Sequence, residues 1–259
     1  MEKTKIDWCD STWNPVTGCL HECEYCYARR IANRFKGHAD LDYFMELEKH
    51  PEIADEKVHV LDAPLARYDF EASAAPYPFG FEPTLHGYRL NDYINKKGRN
   101  IFVCSMADLF GDWVPDSWIE EVFNACERAS QHNYLFLTKN LIRYEVLHQK
   151  GIMRKCQNMW YGYSYTSNKS NYWYDSQYQT FASIEPILEP INSIPPADWI
   201  IIGAETGNRK DKVIPEKSWV DNIVEQCRAL DIPVFMKESL RALYGDNLLR
   251  EFPQGLIRG

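Results

Sequence analysis

Beyond residue 100 the chain repeats one pattern, a short apolar run of strand length closed by a polar break. The runs are 101–104, 134–137, 160–163, 181–184, 199–202 and 234–236, and helical patterns at 117–129, 141–149 and 218–230 separate several of them. Runs this short, rich in β-branched and aromatic residues and alternating with helices, specify an α/β fold with a parallel sheet, open or closed into a barrel. With a first strand at 13–17 the count is six to seven, a partial parallel (β/α) barrel. At 259 residues and 45% hydrophobic composition the chain is read as one domain with a sizeable core. Parallel barrels build their sites at the C-terminal ends of the strands. After the second run comes Ser105-Met106-Ala107-Asp108, after the third Thr138-Lys139-Asn140, and after the fourth Ser164. Glu185 follows the fifth, Glu205 the sixth, and Lys237-Glu238 the last. One such residue would be a turn or a helix cap, as Asp116 or Ser117 is expected to be. Six sets at one rim point to a site.

Upstream, Cys19, Cys23 and Cys26 sit at i, i+4 and i+7, with Tyr25 before the last. An electron-transfer 4Fe–4S cluster is held by four cysteines. Three thiolates would leave one iron open to a ligand that is not protein. Cys9 lies ten residues upstream and offers a second arrangement, a closed tetrahedral zinc site of four cysteines. Zinc modules more often carry two Cys-x2-Cys pairs across a longer loop, and this segment has one. The spacing 28, 31, 32 and 35 predicts a helix after the loop, within 22–35, with Arg29, Arg30 and Arg34 as its solvated face or, for one of them, turned towards the cluster. Cys104, Cys126, Cys156 and Cys227 fall in apolar patterns and read as inert core residues.

The first residues lack an apolar leader and no run approaches membrane length, so a cytoplasmic protein without a membrane partner is expected. Eight cysteines then read as thiols or metal ligands rather than disulfides. The net charge of −8 is local: residues 37–98 hold 12 acidic and 6 basic side chains. The rest is nearly neutral, and charge neither favours nor excludes a nucleic-acid partner. Residues 37–98, with prolines at 64, 76, 78 and 83, read as an irregular insertion after the first helix, a lid over the open side of the barrel.

Cys-x3-Cys-x-aromatic-Cys at 19–26 resembles the signature of the radical S-adenosylmethionine (SAM) superfamily without a mismatch. Over about residues 6–240 the chain also looks like a phage-associated, radical-SAM-like family of unassigned function, found too in bacterial genomes. The matching pieces are Thr12-Trp13-Asn14-Pro15, Gly18-Cys19, Cys23 to Ala28 and Ser105 to Phe110. Leu137-Thr138-Lys139, Glu185-Pro186 and Trp199 through Glu205 complete the likeness. The resemblance implies a partial barrel of the radical SAM type with a 4Fe–4S cluster on Cys19, Cys23 and Cys26. It implies SAM on the open iron, cleaved by one electron to methionine and a 5′-deoxyadenosyl radical that takes hydrogen from a substrate. A reductant protein such as flavodoxin or ferredoxin, in a bacterial or phage-infected host, goes with that chemistry. Tyr25 resembles the aromatic at the SAM adenine. Ser105 and Asp108 stand where the family's Gly-Gly-Glu binds the SAM amino group, a departure from the common pattern. Ser164 and Glu185 are candidates for the ribose and methionine moieties, and Lys139 for the SAM carboxylate, as a point-charge partner. Glu205, Lys237 and Glu238 fall towards substrate as acid–base or anion-binding groups, or else as a mutual salt bridge at the rim.

Residues 160–178 hold eight aromatics in nineteen positions. Such a run stacks bases, fills a core or makes a protein interface. The sequence reading is therefore a radical SAM enzyme acting on a nucleobase or nucleotide, in phage DNA modification or repair. The alternatives are a radical SAM enzyme on a peptide or small metabolite, and a non-catalytic zinc or Fe–S module that binds nucleic acid.

Overall fold

Ile200, Ile201 and Ile202 form a strand in which every residue is buried, the mark of a parallel strand covered on both faces. Alternate residues enter different cores. Ile200 and Ile202 pack with Tyr163, Ile184, Val234 and Met236, whereas Ile201 packs with Phe102, Leu135, Trp160, Phe181, Trp199 and Phe235. The computed structural model describes residues 4–36, 58–65, 74–207 and 209–256.

The strands of this mixed α/β chain are β1 (Ser11–Trp13), β2 (Val16–Thr17), β3 (His59–Leu61), β4 (Thr84–His86) and β5 (Asn100–Val103). They continue with β6 (Asn133–Thr138), β7 (Met159–Ser164), β8 (Gln179–Ile184), β9 (Ile200–Ile202) and β10 (Val234–Met236). Helices are α1 (Tyr27–Arg34), α2 (Asp116–Arg128), α3 (Leu141–Gln149), α4 (Lys217–Ala229) and the short α5 (Arg241–Tyr244). A seven-stranded half-barrel sheet runs β1-β5-β6-β7-β8-β9-β10, and β5 through β10 pair in parallel. The six apolar runs after residue 100 become β5 to β10 within one or two residues. Between β7 and β8, and between β8 and β9, no helix intervenes. Pro186, Pro190, Pro195 and Pro196 bar one from the second crossover.

By internal contacts the chain forms two compact units, interleaved in sequence. One holds 1–12, 97–102 and 131–259; the other holds 13–96 and 103–130. The first contains both cores named above, with α4 contributing Val220, Ile223 and Cys227. In β7, Gly162 leaves the space that the Phe181 ring fills, since a Cβ there would lie 2.2 Å from it. The second unit contains α1, α2 and a small sheet, β2-β4-β3, antiparallel on one side of β4 and parallel on the other.

Four expectations change. The strand expected at 13–17 splits at Asn14-Pro15, because proline cannot donate to a ladder. Its first part joins the large sheet as β1 and its second pairs with β4. The described part of 37–98 is not irregular throughout, since it supplies β3 and β4; residues 37–57 and 66–73 lie outside the described residues. Asp116 is the first residue of α2 rather than its cap, which is Pro115. Cys156 is half-buried on an irregular segment, whereas Cys104, Cys126 and Cys227 are buried as expected.

Candidate functional site

The cysteine loop begins at a glycine for a steric reason. Gly18 has φ +85°, and a Cβ on it would lie 2.0 Å from the Glu82 carbonyl oxygen. Only glycine permits that approach. The Gly18 amide donates to Met106 O at 2.9 Å, and the Cys19 amide to Phe81 O at 3.1 Å. The Cys26 amide then closes a turn on Cys23 O at 3.1 Å. Cys26 caps α1, its Sγ accepting from the Arg29 amide at 3.4 Å. All three loop cysteines are half-buried, and none of the eight cysteines is in a disulfide. Burial pushes the Cys19 thiol up to about 12, with Asp108, Cys26 and Cys23 adding to the rise and the His21 backbone opposing it. Cys19 and Cys26 pack against the same small core of Ala28, Ala32, Phe81 and Met106. Among the described residues no group of three or more His, Cys, Asp and Glu side chains is arranged around a single metal ion. By donor type alone the loop suits an iron–sulfur group, with three cysteine sulfurs inside eight residues, half-buried rather than sealed in the core.

The same unit surrounds this loop with polar side chains. His21 Nε2 and Asp108 Oδ2 are 2.9 Å apart, and Asp108 Oδ1 accepts from the Phe110 amide at 3.0 Å. A carboxylate only accepts, so the His21 proton sits on Nε2. Asp108 is buried, and the His21 ring meets Trp113 edge-on at 4.9 Å. Asn14 Oδ1 accepts from Ser105 Oγ at 3.1 Å and from the Met106 amide at 3.0 Å. Tyr27 OH donates to Ser105 O at 2.9 Å. Just before Ser105, buried Cys104 has φ +57°, a left-handed backbone that non-glycine residues adopt at a cost of about 1–3 kcal/mol.

In the other unit, the parallel strands bring Lys139, Ser164, Glu185, Glu205 and Lys237-Glu238 to the C-terminal ends of β6, β7, β8, β9 and β10. Lys237 Nζ lies 2.5 and 2.6 Å from the two carboxylate oxygens of Glu185. Gly203 makes room for that pair: a Cβ there would stand 3.1 Å from Lys237 Cδ and 3.2 Å from Glu185 Oε1. Glu205, its side chain 2% exposed, is held by Arg209 through two hydrogen bonds of 2.8 Å. The Arg209 hydrogen bonds keep its carboxyl below the usual 4.5, against the opposing effect of burial. Glu238 pairs with Arg241 and, at 2.9 Å, with Arg250, while its amide donates to Asp7 Oδ2 at 2.7 Å. Lys139 is exposed and Ser164 half-buried. Cys9 packs against the Trp8 and Phe102 core, and burial pushes its thiol up to about 12.

A family model described as a protein of unknown function (DUF5131) matches residues 3–242. The chain belongs to that family. No curated protein and no solved structure matches it.

In this member of the family the predicted residues thus fall into two groups. Cys19, Cys23, Cys26, Tyr25, Ser105 and Asp108 are neighbours in one unit, whereas Lys139, Ser164, Glu185, Glu205, Lys237 and Glu238 share the strand ends of the other. Glu205, Lys237 and Glu238 do not form the mutual bridge considered as their alternative role; each has a different partner. Arg29 is not part of a solvated face, since its guanidinium donates to His21 O at 2.7 Å and lies 5.2 Å from the Phe81 ring centroid. His21, Asn14 and Arg209 were missed in the sequence, and Arg29 was considered only as one of three arginines on the helix. His21, inside the cysteine spacing, and Asn14, inside Thr12-Trp13-Asn14-Pro15, stood in motifs that could have flagged them. Of the aromatic run, Trp160, Tyr161, Tyr163, Tyr165 and Tyr178 are buried. Trp173 packs on Tyr144, Tyr161 and Tyr178, which leaves Tyr172 and Tyr174 exposed.

Proposed function

We propose that this protein is a radical SAM enzyme, with Cys19, Cys23 and Cys26 holding a 4Fe–4S cluster. The observation that carries the reading is the three-thiol loop: its spacing matches the superfamily signature, all three cysteines are half-buried, and Cys19 and Cys26 pack against one small core. When bound, the cluster and SAM supply one-electron chemistry that takes a hydrogen atom from an unactivated C–H bond, with flavodoxin or ferredoxin as the electron source.

The chain's own residues bind, orient and handle protons. Tyr25 and Ser105 are assigned to SAM. Asp108, both of whose oxygens are already engaged, serves the loop through His21. In the rim, Lys139 is an exposed ammonium suited to a carboxylate, and Ser164 offers a hydroxyl. Glu205, kept ionised at neutral pH by Arg209, acts as a proton acceptor or an anchor rather than an acid. Lys237 Nζ uses two of its three donors on Glu185 and keeps the third for a ligand, so the ammonium is offered with its charge already balanced. A nucleobase or nucleotide is the substrate class proposed, supported by Tyr172 and Tyr174 at the surface of the 165–178 crossover.

The test is protein purified without oxygen, assayed for iron, sulfide and zinc, then given dithionite and SAM. About four irons per chain, and 5′-deoxyadenosine that disappears in C23A, are expected. One zinc per chain and intact SAM would overturn the reading.

A further inference from the structure

The interactions around Arg29 go beyond holding one helix. Its amide donates to Cys26 Sγ at 3.4 Å, while its guanidinium donates to the main-chain carbonyls of His21 at 2.7 Å and Cys19 at 3.4 Å. One residue thereby ties the last cysteine of the loop to the first. The guanidinium is planar and delocalised, so it lies against the Phe81 ring while its N–H groups reach both carbonyls. Phe81 belongs to the segment on which the loop rests. Cys19 donates to its carbonyl, and Gly18 stands against the next residue, Glu82. That segment is itself pinned: His59 Nε2 is 2.7 Å from Glu82 Oε2, the His59 ring stacks on Phe79 at 3.9 Å, and its amide donates to Pro83 O at 2.9 Å. On the loop's other flank, Gly18 bridges in parallel to Ala107, and His21 is bonded to buried Asp108.

We propose that Arg29 and the His21–Asp108 pair are positioning residues that hold the three-cysteine loop to its backbone path before any cluster is inserted. The loop is short, polar and half-buried, and such segments open locally at little cost unless something fixes their backbone. Main-chain carbonyls are what the guanidinium binds, so the clamp sets the loop's path without occupying a sulfur. A preformed loop captures a cluster without the ordering cost that a mobile one would carry. This inference rests on the reading of the loop as a cluster site, and its first measurement does not depend on that reading.

Hydrogen exchange of residues 18–26 in the full chain, freed of metal, tests it. In R29A these amides should exchange about tenfold faster, with β5–β10 peptides unchanged, and R29K should restore part of the protection by donating to one carbonyl. Uptake of iron from limiting ferrous ion and sulfide should fall in R29A and recover in R29K. Equal exchange in wild type and R29A would overturn the clamp, whatever metal the protein binds. If R29A loosens the whole unit, H21A carries the same test from a side chain that is 27% exposed. Unchanged exchange there would overturn the proposal as well. Protected amides with no iron uptake in any variant would instead remove the cluster reading and leave the clamp standing.

Discussion

The cysteine loop and the strand-end rim are built on opposite principles. The loop is fixed through its backbone: carbonyls of Cys19 and His21 and amides of Gly18, Cys19 and Cys26 carry its contacts. Its sulfurs are left to the edge of the core. The rim is fixed through its charges, each matched to a partner: Glu185 to Lys237, Glu205 to Arg209, and Glu238 to Arg241 and Arg250. A soft ligand can join the first without displacing a side chain. A charged ligand that engages Glu185, Glu205 or Glu238 must compete with the cation already paired to it. Backbone anchoring suits a permanent group, and exchangeable pairing suits a ligand that comes and goes.

The sharpest way to break this comparison is G18A. The new methyl would meet the Glu82 carbonyl at 2.0 Å from a backbone with positive φ, so a loss of about 3 kcal/mol is expected. In a chain this size that lowers Tm by roughly 6–12 °C, and a calorimetric scan reads it. A shift below 2 °C would mean the loop is not seated on that carbonyl. A smaller effect is expected at the rim. K237M strands a partly buried Glu185 carboxylate, at a cost between that of exposed and sealed pairs, about 1–2 kcal/mol. The E185Q/K237M double variant should recover about half of it in urea titrations. Additive losses would show that the two residues do not act as a pair.

The smallest effect is one of pH. The folded carboxyl of Glu205 is held below its ordinary 4.5, so the stability contributed by Arg209 is full above that value and is lost as pH falls through the depressed one. Wild type should therefore be more stable than E205Q at pH 7. The gap should close below pH 4.5 in urea midpoints measured down to pH 3. A gap that persists at pH 3 would assign the difference to packing.

Legibility differed between the units. The six strands from β5 to β10 were readable because each is a contiguous apolar run buried on both faces, so composition alone betrays it. Strands β3 and β4 were not, since three-residue strands among prolines carry no period, and β2 was read only as the end of a single strand at 13–17. The cysteine spacing named the thiols, but Arg29 looked like any basic residue on a helical surface. Whether a guanidinium faces water or reaches back over the preceding loop depends on the loop's path, and that path rests on the 81–83 segment some fifty residues away in sequence. For the same reason Asp108 could be listed with the strand-end acids while its partner, His21, was hidden among the cysteines.

The sequence by itself determined the parallel strands, the helices α2 to α4, the residues at the strand ends and the three-thiol spacing, because these follow from local pattern and period. Only the tertiary structure decided which charge pairs with which and what holds the cysteine loop. Glu185–Lys237 and His21–Asp108 join residues 52 and 87 positions apart, and even the short-range pairs, Glu205–Arg209 and Arg29–His21, depend on the path of an irregular segment that no period encodes.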